Sequence, residues 1–288
     1  MTPPSLPRVA VVGAGAMGHG IAYVAALAGC EVALNDSRAD ALPQARARID
    51  ELLAGAVKRG KLTEEGRLLV ASRLHVERVL ADAVKGAGVV IEAVIEDLAV
   101  KQRLLAEIER AAPPGALLAS NTSSFSIGQL AAALEAPGRL VGMHFFNPVH
   151  VMKLVEVVTH GRTERSMADR AVTFALQLGK EPIVVKDSPG FASSRLGVVL
   201  GLEAMRMLEQ GVASVEDIDK AMELGYNHPM GPLKLTDLVG LDVRLAIAEY
   251  LHATLKLPHY APPAILKDKV MKGELGKKTG KGFYTWSD

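Results

Sequence analysis

The sequence predicts a doubly wound, mostly parallel α/β sheet followed by a smaller all-helical domain, and three observations carry that prediction. Short β-branched apolar runs alternate with longer helical segments from residue 8 to about 186. A glycine-rich turn sits between the first run and the first helical segment. Past residue 187 the strand signals stop, and what remains reads as helices broken by proline. The expected domains are therefore 1–187 and 188–288, and 288 residues suffice to bury a core in each.

Taken in order, Arg8-Val9-Ala10-Val11-Val12 has the length and branching of a buried parallel strand. It stops at Gly13-Ala14-Gly15-Ala16-Met17-Gly18. These glycines are spaced for a tight turn, for a bare backbone that a pyrophosphate can approach, and for close helix–strand packing, with the helix N-terminus offering N–H donors to the anion. The helix runs through Ile21 to about Ala28, and a second strand, Glu31 to Asn35, ends on Asp36, 18 residues after Gly18. Strand before, helix after and acid at the next strand's end make this Gly-x-Gly-x-x-Gly a Rossmann-type dinucleotide site. Asp36 would accept hydrogen bonds from the ribose hydroxyls and repel a 2′-phosphate, which favours NAD over NADP. Arg38 reads as a solvated charge at the start of the next helix, close enough to temper that discrimination.

That helix, about Ala39 to Gly60, closes on Lys58-Arg59-Gly60-Lys61, a basic cluster that suits either a solvated helix C-terminus or an anion site. Gly88 to Val94 is a buried strand with Ala93 near its C-terminal end, where an open α/β sheet places its ligands. A helix from about Asp97 to Ala111 is broken by Pro113-Pro114-Gly115. Ala116–Ala119, Arg139–Met143, Leu154–Val158 and Pro182–Val185 are further strands, the last two flanking a helix near Met167 to Leu178. Beyond Lys186-Asp187-Ser188-Pro189-Gly190 come a long helix from about Ala192 to Gln210 and one capped by Ser214 with Asp217 three residues on. Later helices are broken at Pro229, Pro232, Pro258 and Pro262-Pro263.

Composition narrows the function. Lys plus Arg number 33 against 32 acids, so no global field attracts nucleic acid or an anionic membrane. No apolar run reaches the roughly 18 residues of a membrane span. Cys30 is the only cysteine, which excludes an internal disulfide and a cysteine-based metal cluster, and no metal is expected. Leu27-Ala28-Gly29-Cys30 imitates a lipoprotein processing site, but only Arg8 precedes it as a charge, three prolines lie in the first seven residues and His19 interrupts the apolar segment. A cytoplasmic protein is expected.

Three polar groups fall where the sheet should present them. Strand 116–119 delivers Ser120-Asn121-Thr122-Ser123-Ser124, and strand 139–143 delivers His144-Phe145-Phe146-Asn147-Pro148. Glu156 sits inside an apolar strand, where an unpartnered carboxylate is very costly. His144 is the expected partner: a Glu–His pair orients the imidazole and raises its proton affinity, equipping it to take a proton from an alcohol while hydride leaves the same carbon. Ser123 would polarise the substrate oxygen. Each residue also has a plain structural use, since a Ser/Thr/Asn cluster caps helices and Asn147-Pro148 makes a turn.

The stretches Gly13 to Gly18, Ser120 to Ser124, His144-Phe145-Phe146-Asn147-Pro148, Met152 to Val157, Pro189-Gly190-Phe191, Gly225 to Pro232 and Gly276-Lys277-Lys278-Thr279-Gly280 together resemble the L-3-hydroxyacyl-CoA dehydrogenase family, over essentially the whole chain and in order. The resemblance implies an NAD-dependent oxidoreductase acting on the CH–OH of an (S)-3-hydroxyacyl-CoA, 3-hydroxybutyryl-CoA included, in fatty-acid degradation or short-chain metabolism. It implies a His144–Glu156 dyad, Ser123 at the substrate oxygen, and Glu96, Lys101, Asn147 and Lys278 at or bordering the nicotinamide end of NAD. It implies a basic residue of the 39–60 helix, nearest Arg59 and flanked by Lys58 and Lys61, at the CoA phosphates, and a homodimer formed through the helical domain. In place of the family's Pro-Gly-Phe-x-x-Asn-Arg this chain reads Pro189-Gly190-Phe191-Ala192-Ser193-Ser194-Arg195, so Ser194 stands where the family places an asparagine near the substrate carbonyl. The two dehydrogenase domains would use up residues 1–288, and no fused hydratase or thiolase is expected. Two other activities fit the motifs: a dehydrogenase of a free 3-hydroxy or sugar acid, which would need no CoA site, and a non-catalytic NAD sensor, which has no use for a buried Glu beside a His.

Overall fold

The computed structural model describes residues 6–287. The chain divides into two compact units at Asp187/Ser188.

The first unit is built on one eight-stranded sheet. Its elements are β1 (Val9–Val12), α1 (Gly18–Ala28), β2 (Val32–Asn35), α2 (Ala41–Lys58), α3 (Glu64–Ser72), β3 (Leu74–Glu77), α4 (Leu80–Val84), β4 (Val89–Glu92), α5 (Leu98–Ala111), β5 (Leu117–Ser120), α6 (Ile127–Ala131), β6 (Leu140–Phe145), β7 (Leu154–Thr159), α7 (Arg165–Gln177) and β8 (Glu181–Lys186). The strand order is β3-β2-β1-β4-β5-β6-β7-β8, parallel from β3 through β6. Chain direction reverses at β7, which pairs antiparallel with β6, and β8 runs parallel to β7. All four residues of each of β1, β2, β4 and β5 are buried, as expected of strands covered on both faces. The order reverses at β1, which lies between β2 and β4, and this switch point opens a crevice at the strands' C-terminal ends.

Two differences from the sequence reading have physical causes. The strand expected at 139–143 extends through Phe145, so His144 lies within β6 and is held by the sheet itself. The region between Gly60 and Gly88 holds α3, β3 and α4, none of which its pattern announced. In β3 only Leu74 is fully buried, so this edge strand lacks the apolar run that marks its neighbours, while α3 is opened by the Thr63 hydroxyl accepting from the Gly66 N–H. Cys30 is fully buried in the core, and α1 carries Leu27-Ala28 as its last turn, so the processing-site imitation is a piece of folded helix.

The second unit is helical: α8 (Ser193–Glu209), α9 (Val215–Gly225), α10 (Pro232–Val239), α11 (Leu241–Leu255) and α12 (Ala264–Met271). Val198, Leu202, Met205, Leu233, Leu241, Leu251 and Leu266 form its core. Its C-terminal tail is fastened by Asp237, a buried carboxylate that accepts the Phe283 and Tyr284 N–H groups and the Trp286 indole N–H at 2.8, 2.9 and 2.8 Å.

Candidate active site

The glycine loop is shaped by what surrounds each glycine. A Cβ on Gly13, which has φ 108°, would lie 2.5 Å from the Ala93 carbonyl oxygen, so only glycine lets the end of β1 pass the end of β4. A Cβ on Gly18 would meet the Gly13 carbonyl at 1.6 Å, which fixes the start of α1 against the loop. Before Gly15 no atom lies within 4 Å, leaving the bare backbone that a pyrophosphate requires. Met17 caps α1 without a side-chain hydrogen bond, so the first helical N–H groups are not consumed by the cap. Asp36 closes the loop from the other side: its Oδ2 accepts the Ala14 N–H at 2.8 Å and its Oδ1 the Arg38 N–H at 2.9 Å. The Arg38 guanidinium stands 3.6 Å from Asp36 and is mostly exposed.

Two cavities follow one another along the C-terminal ends of the strands. One, of about 540 Å³, is lined by Gly13, Gly15, Asp36, Arg38 and Ala93 among others. The next, of about 490 Å³, is lined by Ala16, Met17, Glu96, Ser123, His144 and Asn147 among others. Gly15 and Ala93-Val94-Ile95 border both, so the two adjoin as halves of one groove. Residues that suit an adenosine ribose and residues that suit proton transfer thus occupy opposite ends.

At the reacting end, the antiparallel register of β6 and β7 sets His144 directly opposite Glu156. His144 Nδ1 and Glu156 Oε2 are 2.7 Å apart, with Glu156 fully buried and the His144 side chain 8 % exposed. Phe146 stacks against the imidazole at 4.5 Å between centroids. The Asn121 side-chain carbonyl accepts the Phe145 N–H at 2.9 Å, tying the β5 exit to the end of β6.

Glu96 organises the neighbouring hydroxyls. Its Oε1 accepts the Thr122 and Ser124 hydroxyls at 2.6 and 2.9 Å and the Ser123 and Ser124 N–H groups at 3.0 and 3.2 Å. Burial pushes its carboxyl up, but Lys101 and these donors outweigh burial and hold it below the usual range. The Ser123 hydroxyl reaches Glu96 only at 3.5 Å and is exposed to the groove.

Lys101 does not face the groove. Its side chain is 1 % exposed, and its ammonium sits 2.7 Å from Glu92, 3.2 Å from the Glu96 Oε2 and 3.4 Å from the Val94 carbonyl. Glu92 is completely buried and also accepts the Ser120 hydroxyl at 2.6 Å and the Val94 N–H at 2.8 Å. Lys101 therefore supports the loop from Ala93 to Glu96 from behind, where the resemblance left open contact or border. Glu92 escaped the sequence reading, and Asn121 and Thr122 entered it only as members of the polar cluster, without the individual contacts that the structure gives them. The argument applied to Glu156, a carboxylate within an apolar strand, would have found Glu92 as well.

The basic cluster splits. Arg59 and Lys61, but not Lys58, line a separate cavity of about 490 Å³ with Tyr23, His150, Lys153 and Lys180. Burial first, then Arg59 and Lys180, push the His150 imidazole below its ordinary value. Ser194 is the second residue of α8 and half-buried in the second unit. Lys278, in the same unit, holds both carboxylate oxygens of Asp242 at 2.6 Å. Among the described residues no cluster could hold a metal ion, and no helix is long and apolar enough to cross a membrane.

Comparison with known proteins agrees with this geometry. Residues 8–188 match the 3-hydroxyacyl-CoA dehydrogenase NAD-binding domain and residues 190–286 the C-terminal domain of the same family. The chain is 46% identical over 284 residues to a 3-hydroxybutyryl-CoA dehydrogenase of Mycobacterium tuberculosis, covering 98% of this chain and 99% of that one. It is 41% identical to the human mitochondrial hydroxyacyl-coenzyme A dehydrogenase, covering 97% of this chain and 91% of the relative. The crystal structure of (S)-3-hydroxybutyryl-CoA dehydrogenase PaaH1 from Ralstonia eutropha superimposes with a TM-score of 0.95 at 40% identity, covering 99% and 100% of the two chains. The chain belongs to the 3-hydroxyacyl-CoA dehydrogenase family, with NAD as its cofactor.

Proposed function

We propose that this protein oxidises (S)-3-hydroxyacyl-CoA thioesters, 3-hydroxybutyryl-CoA among them, reversibly to 3-ketoacyl-CoA, with His144 as the general base. The observation that carries the reading is the His144–Glu156 pair, held across two strands at 2.7 Å in the cavity that also presents Ser123 and Asn147. With Nδ1 donating to Glu156, the imidazole takes the hydroxyl proton through Nε2 while the C3–H bond breaks and C3–O becomes a carbonyl. The buried carboxylate then stabilises the imidazolium, and in the reverse direction the same proton returns to the oxygen. Ser123 donates to the substrate oxygen, its main chain fixed by Glu96. Bound NAD supplies the acceptor for the hydride.

Gly13, Gly15, Ala16, Met17, Gly18, Asp36 and Ala93 hold the dinucleotide, and Glu96, Asn147 and Lys278 act toward its nicotinamide end, with Lys101 supporting Glu96. Arg59 and Lys61 attract the CoA phosphates, and Lys58 adds only to the surrounding field. Ser194 serves the substrate carbonyl directly or through a water. Residues 188–288 form the homodimer contact, a role supported by exposed Leu196, Leu224 and Tyr226. The balanced charge and the folded Leu27–Cys30 segment support a cytoplasmic location.

The test follows NADH absorbance with (S)-3-hydroxybutyryl-CoA, free 3-hydroxybutyrate and gulonate. Turnover of the thioester alone supports the proposal. Equal turnover of a free acid would replace it with a free-acid dehydrogenase, and no turnover of any with an NAD sensor.

A further inference from the structure

Asn121 leaves β5 at the reacting end of the groove and is anchored from both neighbouring strands. Its N–H donates to the Glu92 carbonyl at the end of β4 at 2.8 Å, and its side-chain carbonyl accepts the Phe145 N–H at the end of β6 at 2.9 Å. The second bond decides which way the amide faces. A backbone N–H can only donate, so the amide oxygen must turn toward it and the NH2 group away from it. Among the described residues no hydrogen-bond partner meets that Nδ2. The buried side-chain polar atoms left without a partner among them are Asp187 Oδ1 and, on α11, Arg244 Nε. Asn121 Nδ2 is therefore not sealed in the core but open to the cavity that its residue lines with Ser123, His144 and Asn147.

An unspent donor with a fixed direction has a use in this cavity. An alcohol oxygen carries one proton and two lone pairs. His144 takes the proton and Ser123 donates to one lone pair, which leaves the other unmet. As the proton passes to His144, negative charge gathers on that oxygen, and a donor already aimed at it stabilises the charge without reorganising. The Ser123 hydroxyl is a rotor whose only contact within the cluster, Glu96, lies at 3.5 Å. The Asn121 amide is locked by the Phe145 N–H. A carboxylate at this position would satisfy that N–H at least as well but would bring charge of the wrong sign to the reacting oxygen. The amide is accounted for by the donor it adds.

We infer that Asn121 is a further catalytic residue, whose Nδ2 donates to the C3 oxygen of the substrate as the second donor beside Ser123. The role rests on the dehydrogenase reading with His144 as base. In the oxidative direction the bond strengthens while the hydroxyl proton moves to the imidazole and the C3–H electron pair leaves as hydride. In the reductive direction it polarises the ketone that receives the hydride, and the proton returns from His144 to the same oxygen.

Two variants separate the donor from the anchor. Asn121→Asp keeps an acceptor for the Phe145 N–H and loses the donor, whereas Asn121→Ala loses both and adds no charge. Binding is measured first, by calorimetry without cofactor, with acetoacetyl-CoA, which has the C3 oxygen, and butyryl-CoA, which lacks it. This arm requires no turnover, so it stands apart from the dehydrogenase reading. Wild type should favour acetoacetyl-CoA, and the preference should shrink by about two- to tenfold in both variants, the scale of one hydrogen bond. Under saturating (S)-3-hydroxybutyryl-CoA and NAD, kcat should fall by roughly tenfold to a hundredfold in both, toward the lower end for one preorganised donor because Ser123 remains, with NADH affinity unchanged. In either arm, a loss confined to Asn121→Ala would reduce the residue to an anchor for Phe145, and a loss confined to Asn121→Asp would trace to the introduced charge. Each of these overturns the assignment, as does wild-type behaviour of both variants. NADH affinity falling in step with kcat would move the donor to the nicotinamide and overturn it too.

Discussion

Lys101→Met offers the sharpest test of how the reacting end of the groove is supported. The ammonium it removes is 1 % exposed and bonded to a fully buried Glu92 at 2.7 Å. Afterwards the Glu92 carboxylate keeps the Ser120 hydroxyl and the Val94 N–H but no longer has a counter-ion. Leaving one partner of a buried pair uncompensated costs about 3–5 kcal/mol. At roughly 2–4 °C per kcal/mol for a domain of this size, Tm should fall by about 6–20 °C. Adding Glu92→Gln removes the orphaned charge while retaining an acceptor, so the double variant should regain part of the loss. A double-mutant cycle by differential scanning calorimetry should give a coupling of about 0.5–3 kcal/mol. NADH affinity should weaken in parallel, because Val94 and Glu96 both lose a contact to Lys101. A Tm within about 2 °C of wild type with unchanged NADH affinity would refute this account, since a pair worth 3–5 kcal/mol could not vanish silently.

Four further outcomes follow from the same geometry. Asp36→Ser should raise the NADP-to-NAD ratio of kcat/KM by about tenfold or more through loss of the charge facing the 2′ position, and an unchanged ratio would remove Asp36 from the ribose. Glu156→Gln should keep the strand pairing but lower kcat by roughly tenfold, less than loss of the imidazole itself; full activity would show that the buried charge is not needed. Neutralising Lys58, Arg59 and Lys61 together should raise KM for the CoA thioester and blunt its salt dependence while leaving KM for NAD unchanged, and reverting Lys58 alone should restore nothing, since it lies outside the cavity lined by the other two. Glu96 has a folded-state pKa below its ordinary value, so its contribution to stability is present above the unfolded carboxyl value and is lost as pH falls through the depressed one. The Tm gap between wild type and Glu96→Gln should accordingly be full at pH 7 and close under strongly acidic conditions, whereas a gap that widened on acidification would reverse the assignment.

The two ends of the groove were legible for different reasons. Gly13, Gly15, Gly18 and Asp36 announce themselves because backbone approach and ribose binding tolerate few residue types. Glu156 was legible as a carboxylate where none belongs, and the register of β6 and β7 supplies His144 as its partner. The interval between Gly60 and Gly88 was opaque because β3 is an edge strand with one fully buried side chain, and periodicity reports burial rather than pairing. Lys101 was opaque because a lysine at a helix start normally points to water. Only the position of Glu92, nine residues before it and at the end of β4, turns it inward. Arg244 carried no signal at all, since its burial depends on α8 and α11 meeting at glycines more than forty residues away in the sequence.

The central claim, that His144 is the base of the reaction, is tested most directly by His144→Ala under saturating NAD and (S)-3-hydroxybutyryl-CoA, with circular dichroism and NADH titration on the same sample. The account predicts a fall in kcat of about 10²–10⁴-fold with the fold and NADH binding preserved. Turnover within a few-fold of wild type would contradict it.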